Sequence, residues 1–294
     1  RTFEEASDTL NLDLKKLCFD SDLRELTKTE NAQPALLTLS VAKFRVFQQE
    51  LGITPTLAAG HSLGEYSALT CANAMSFSSA VKLVRRRGEL MQQACKIGCG
   101  SMMAISGIYK DAVQLECQAF TDPNHLAVVA NINSATQVVI SGHPAALEDA
   151  AQRLGEKGAR VIPLKVSAAF HSPLMEPSAA AFAEELDNTV FRVPAWPVIA
   201  NINALPYKSK EEIPTLLKKQ MTHPIQWMAT MDYIKTKLID VAIELGPKHV
   251  LKNLLLKSSR DITVYSTNTE EDLQLLYDID PEDSGDVYVG NKIT

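Results

Sequence analysis

A short apolar run, Thr56 to Ala59, leads directly into Gly60-His61-Ser62-Leu63-Gly64, and Glu65 to Leu69 continues in helix-forming residues. This reads as a strand, a sharp turn and a helix, the context of a nucleophile elbow. Two glycines permit the tight turn and close helix-strand packing, and the Ser62 hydroxyl is exposed at the apex. The amide of Leu63, at the start of the following helix, points toward any oxyanion formed on a group attacked by Ser62. His61 is adjacent but leaves the turn in another direction and reads as a packing neighbour of the nucleophile.

The remaining pattern assigns the chain to the α/β class. Leu37, Val41, Phe44, Phe47 and Leu51 give a helix over 33–51, and Ser76 or Ser78 caps a helix running to about Ala94. Residues 100–165 read β-α-β-β-α-β: strand 102–108, helix 111–120, strands 126–132 and 137–141, helix 144–157 and strand 160–164. That order predicts a ferredoxin-like unit. It is inserted in a larger α/β-hydrolase-like unit with a parallel sheet, which resumes with helices near 173–187, 210–221 and 228–238 and strands near 197–201 and 240–244. The division expected is 1–97 with 166–277 as the catalytic subdomain, 98–165 as the small subdomain, and 278–294 as an acidic mobile tail carrying Asp280, Glu282, Asp283 and Asp286.

Composition narrows the function. With 294 residues, 46% of them hydrophobic, the chain can bury a sizeable core, and its net charge of -6 argues against a nucleic-acid partner. No apolar stretch reaches the roughly 18 residues needed to cross a bilayer. Five cysteines at 18, 71, 95, 99 and 117 contain no C-x-x-C pair and fit reduced thiols better than a disulfide framework.

A serine nucleophile needs a base, and six histidines are available. His171 leads on position: it follows Val166 to Phe170 on a loop leaving a predicted strand, where side chains gather at the open end of an α/β sheet. On the helix from Ser78 to Ala94, Arg87 falls within the apolar face of Ala80, Leu83, Val84, Gly88, Met91 and Ala94. A guanidinium there must be paired. Its partner is either an internal carboxylate or the carboxylate of a ligand, for which the planar fork is suited.

Six ordered blocks then carry a resemblance: Ala59-Gly-His-Ser-Leu-Gly-Glu-Tyr-Ser-Ala-Leu69; Arg87-Gly-x-x-Met91; Asn131-Ile-Asn133-Ser with Gln137-Val-Val-Ile-Ser-Gly142; Phe170-His-Ser-Pro-Leu-Met175; His223-Pro-Ile-Gln-Trp227; and Glu244-Leu-Gly-Pro247. Together they resemble the malonyl-CoA:acyl carrier protein transacylases. The resemblance implies malonyl transfer to the phosphopantetheine thiol of an acyl carrier protein through an ester on Ser62. It implies that His171 is the base, that the backbone carbonyl of Gln220 orients it, and that Arg87 holds the malonyl carboxylate. Asn131 and Asn133 resemble polar residues near the family's pocket, and Phe170 resembles the form that disfavours a branched acyl group.

No metal or other cofactor is implied. The partners implied are malonyl-CoA and the carrier protein, with neither nucleic acid nor membrane, for a monomer in a bacterial cytoplasm or an organelle matrix. The family also opens with a strand and a Gly-Gln-Gly-Ser-Gln turn supplying a second oxyanion donor, so a segment preceding Arg1 is expected. Two other readings remain at this level. One is a serine esterase or thioesterase of the α/β-hydrolase type, and the other is a non-catalytic module that docks a carrier protein.

Overall fold

The structure, a computed structural model, describes residues 1–96, 100–166, 168–258, 261–277 and 287–290. The chain opens with α1 (Thr2–Leu10), α2 (Leu14–Phe19), α3 (Leu23–Leu26) and α4 (Thr29–Leu51), followed by β1 (Leu57–Ala58), α5 (Leu63–Cys71) and α6 (Phe77–Lys96). A small unit follows: β2 (Ser101–Ser106), α7 (Lys110–Cys117), β3 (Thr121–Asp122), β4 (His125–Ser134), β5 (Gln137–Gly142), α8 (Pro144–Glu156) and β6 (Arg160–Pro163). After a 3-10 turn at Pro173–Met175 come α9 (Glu176–Asp187), α10 (Glu212–Gln220), α11 (Trp227–Lys235), β7 (Val241–Glu244), α12 (Val250–Ser258), β8 (Thr263–Ser266), α13 (Glu270–Tyr277) and β9 (Val287–Gly290). Among the described residues no helix is long and apolar enough to cross a membrane.

The strands form two sheets. The larger unit holds a parallel sheet in the order β1-β9-β7-β8, with Leu57 opposite Tyr288 and Ala242 opposite both Tyr288 and Val264. The small unit holds an antiparallel sheet in the order β3-β4-β5-β2-β6. Its four longer strands have ferredoxin-like order, and their two faces divide by the period-2 rule. Val138 and Ile140 face α7 and α8, packing with Val113, Leu147 and Leu154. Val139 and Met102 face the other way and join the core of the large unit, with Leu37, Phe44, Val84 and Met91. The inserted unit is thereby fixed to the large one by a continuous apolar contact.

Two expectations are corrected. Residues 197–201 do not make a full strand. Val198 and Ile199 form isolated bridges to Ala58 and Pro206, because the chain reverses at once, with Ala204 at φ 56° and the Ala200 N–H bonded to Leu205 O at 2.9 Å. Within the expected mobile tail, Val287–Gly290 is instead a parallel strand between β1 and β7. Its Val-Tyr-Val run has high strand preference, and pairing there satisfies backbone groups on both neighbours. The rest of that tail, 278–286 and 291–294, lies outside the described residues, as do residues 97–99, where the small unit was expected to begin.

Candidate active site

The turn after β1 is held in a conformation that few residues adopt. Ser62 has φ 54° and ψ −106°, strain that costs on the order of 1–3 kcal/mol and persists only where surroundings enforce it. The enforcing contacts are buried. The Ser62 N–H donates to Asn201 Oδ1 at 2.7 Å, Asn201 Nδ2 donates to Gly60 O at 2.7 Å, and Gln220 Nε2 donates to Ser62 O at 3.0 Å. A Cβ on Gly60 would stand 2.0 Å from the Gly64 carbonyl carbon, so only glycine allows α5 to start so close to the incoming strand. Leu63 is the first residue of α5, and its N–H is one of the leading helix donors aimed past Ser62.

His171 reaches this turn from the loop before α9, itself at φ 58°. Its Nε2 lies 3.0 Å from Ser62 Oγ, and its Nδ1 lies 2.6 Å from the backbone carbonyl of Gln220. A carbonyl only accepts, so Nδ1 carries the hydrogen and Nε2 is left to accept the Ser62 proton. Burial, and after it the positive charge of Arg87, push the His171 pKa down to about 3. The ring is thus neutral and available as a base across the physiological range.

Arg87 comes from α6. Ser76 Oγ caps that helix by accepting the Ser79 N–H at 3.1 Å, which settles the choice between the two serines. At the neighbouring Gly88, α6 presses so close to α4 that a Cβ would stand 2.7 Å from Glu30 Cα. The close approach brings Gln33 of α4 to the guanidinium. Arg87 is 1% exposed; Nη1 donates to Gln33 Oε1 at 2.7 Å, and Nη2 donates to Gln220 Oε1 at 2.9 Å and to Ser62 Oγ at 3.1 Å. Its plane lies over Tyr66, 5.3 Å from the ring centre. Among the described residues these partners are neutral oxygens and none is a carboxylate. Burial pulls the Arg87 pKa down, with Tyr66 and the carboxylate of Glu65 opposing that shift, and among the described residues the guanidinium has no carboxylate bonded to it directly.

Ser62, His171, Gln220 and Arg87 are therefore joined in one buried network. His61 lies at its edge: Nε2 is 2.9 Å from Asn133 Oδ1 of β4, and its ring packs 5.5 Å from that of Trp227. Asn133 thus bridges the two subdomains beside the elbow. Asn131 is buried nearby on β4, and its side-chain oxygen has no hydrogen-bond partner among the described residues. Phe170 packs into the main core immediately before His171. Four network members escaped the sequence reading: Gln33, Asn201, Glu65 and Tyr207. Gln33 had a usable signal, since it sits four residues before Leu37 on the inward stripe of α4, where a polar residue is out of place. Asn201 likewise ends the apolar run Val198-Ile199-Ala200.

Comparison with known proteins places this constellation. Residues 2–271 match the acyl transferase domain family. The chain belongs to that family. As an acyl transferase domain it is 45% identical over 278 residues to a malonyl CoA-acyl carrier protein transacylase of Bacillus subtilis, covering 95% of this chain and 70% of that protein. A second such protein, from Bacillus subtilis strain 168, is 41% identical over 276 residues, covering 94% and 87% of the two chains. Among solved structures, FabD from Acinetobacter baumannii superposes with a TM-score of 0.89 at 39% identity, covering 94% of this chain and 88% of that one. A malonyl-transacylase solved with its type II PKS acyl-carrier protein superposes at 0.90 with 37% identity, covering 95% and 90%. The two-subdomain α/β fold of the acyl transferase domain is thereby shared with proteins of this group.

Proposed function

We propose that this chain transfers a malonyl group from malonyl-CoA to the phosphopantetheine thiol of an acyl carrier protein, through an ester on Ser62. One observation carries the choice of malonyl: a buried Arg87 with neutral partners only, its Nη2 3.1 Å from the nucleophilic oxygen. A substrate carboxylate completes that guanidinium. The short separation suits an acyl group with a single methylene between its thioester carbonyl and its free carboxylate. An acetyl group would leave the charge unpaired, which is a strong basis for rejection.

In the first half-reaction His171 Nε2 takes the Ser62 proton as Oγ attacks the thioester carbonyl. The oxyanion of the tetrahedral intermediate faces the Leu63 amide at the start of α5. The C–S bond then breaks, and the coenzyme A thiolate takes the proton back from His171. In the second half the carrier thiol gives its proton to His171, its sulfur attacks the malonyl ester, and Ser62 leaves with that proton. Each exchange is redox-neutral acyl transfer, so the reading assigns no cofactor.

Substrate binding also adjusts the base. Arg87 is one of the causes that depress His171. Pairing Arg87 with a carboxylate weakens its field, so the imidazole grows more basic when a diacid acyl group is bound. The Gln220 carbonyl keeps the ring in register throughout. Phe170, beside His171, narrows the site against a branched acyl group. The same reading describes a monomeric enzyme of the cytoplasm.

Mass spectrometry of the intact protein after brief exposure to malonyl-CoA tests this directly. A malonyl adduct on Ser62 that a carrier thiol then removes is expected. Release of malonate to water without transfer to the carrier would favour an esterase, and no adduct would sink the reading.

A further inference from the structure

Glu65 takes no part in the steps above, yet its carboxylate lies in the middle of the network that performs them. It is fully buried in the first turn of α5, three residues after the nucleophile. Three donors converge on it. Gln220 Nε2 donates to Oε2 at 2.5 Å, the Asn201 N–H donates to Oε2 at 3.2 Å, and the Tyr207 hydroxyl donates to Oε1. Gln220 is the hub on the other side, because its side-chain oxygen accepts from Arg87 and its backbone carbonyl accepts from His171. Base and carboxylate reader thus hang on one residue, and that residue's amide is held by Glu65.

We propose that Glu65 is a positioning residue for this transfer: its ionised carboxylate clamps the Gln220 side chain and so orients both His171 and Arg87. The proposal rests on the malonyl-transfer reading. Charge matters because a hydrogen bond to an ionised acceptor is roughly twice as strong as a neutral one. Stability is a poor explanation for keeping the charge. Burial pushes the Glu65 carboxyl up to about 7 from 4.5, although hydrogen bonds from Tyr207, Gln220 and Asn201 and the charge of Arg87 all lower it. The groups facing it are Arg87 from α6, Tyr66 beside it on α5, and Tyr207 from the segment before α10, with Glu212 beyond that tyrosine. A carboxyl raised in the native state holds a proton that the unfolded chain has already lost between about pH 4.5 and 7. Its contribution to stability therefore falls as pH rises through that window and stays low above it. A group whose working form weakens the fold is there for something other than the fold.

The acid limb of the rate profile then belongs to Glu65. His171, held near 3, is already neutral throughout this range, so a limb near pH 7 has another source. The test measures kcat/KM for malonyl-CoA from pH 5.5 to 8.5, and the malonyl-to-acetyl preference, in the wild-type chain and in Glu65→Gln. The glutamine can face its oxygen to Gln220 and its amide to Tyr207, and it carries no charge. The wild type is expected to rise through a limb near pH 7. Glu65→Gln is expected to give a flat profile about 10-fold below the wild-type plateau, a smaller loss than the roughly 10²–10⁴-fold that a general base contributes, because His171 itself is retained. Its malonyl preference also falls, since a neutral acceptor holds Gln220, and through it Arg87, less firmly than a carboxylate does, while it melts higher than wild type at pH 8.

Tyr207→Phe supplies an independent variant. It removes a hydrogen bond that lowers the Glu65 carboxyl, so the limb moves to higher pH. A wild-type limb retained in Glu65→Gln, or an unchanged malonyl preference, overturns the proposal. A wild-type chain that forms no malonyl adduct on Ser62 overturns the transfer reading and this proposal with it. Adduct formation indifferent to Glu65→Gln overturns this proposal alone.

Discussion

The two subdomains treat buried charge and backbone strain in opposite ways. In the small one, the buried carboxylate of Glu116 is met by Lys157 at 2.6 Å and Arg153 at 3.2 Å, and these cations hold its pKa down. In the large one, Arg87 is bonded to neutral oxygens only, and Glu65 is pushed up toward neutrality. Backbone strain divides the same way. Ser62, His171 and the other described non-glycine residues with positive φ all lie outside 101–163. At Ser62 and His171 strained backbone coincides with incompletely paired charge where chemistry is done, and a unit free of both is a packing element. The small sheet supplies apolar area, a wall for the elbow, and Asn131 and Asn133 at the boundary.

Removing the base from the strained unit should have the largest effect. His171→Ala is expected to lower malonyl transfer on the order of 10⁴-fold, because serine, base and orienting group act as one unit. Stopped-flow or quenched-flow acylation of Ser62 measures this, and a loss below tenfold would mean that Ser62 finds its base elsewhere. Arg87→Ala comes next. A loss of roughly 100-fold in kcat/KM for malonyl-CoA is expected, the size seen when one partner of a desolvated charge pair is removed. Use of acetyl-CoA should improve relative to malonyl-CoA, and unchanged selectivity would sink the carboxylate-reading role.

The difference between the subdomains also sets how far each can be read in the sequence. The small unit is built from local alternation and short connections, so β2, α7, β4, β5, α8 and β6 follow from the pattern of residues 100–165 with ends within about three residues, the largest miss being the end of α7, expected at 120 and found at Cys117. The elbow is legible for a similar reason, with strand, glycines, serine and helix contiguous. Arg87 is legible as a charge on an apolar face, but not its lack of a carboxylate partner. Its oxygens come from Gln33 and Gln220, 54 and 133 residues away. The Glu65 cluster is likewise assembled from separations of 136 to 155 residues, which no local period reports. The region 197–201 misleads because an apolar run bordering a sheet looks the same whether it continues as a strand or turns back after two bridges.

The smallest effect on rate is expected from the small subdomain's own core, where the comparison is most exposed to failure. Leu147 of α8 is fully buried between that helix and the antiparallel sheet, among Ile105, Val113, Val138 and Ile140. Leu147→Ala removes that packing and leaves a cavity, for a loss of about 2–5 kcal/mol of stability. If the sheet serves chiefly as packed support, the surviving folded protein keeps its constellation. Its kcat/KM at 25 °C should then stay within about twofold of wild type while chemical denaturation shows the full loss, since sites with no shared partners behave independently. The weak point is β4, which carries Asn131 and Asn133 from this core to the elbow and takes backbone bonds to Ile225 through Ala130 and Ile132. A tenfold fall in kcat/KM would show that strain travels along that strand to His61, and that the small unit shapes the site it walls.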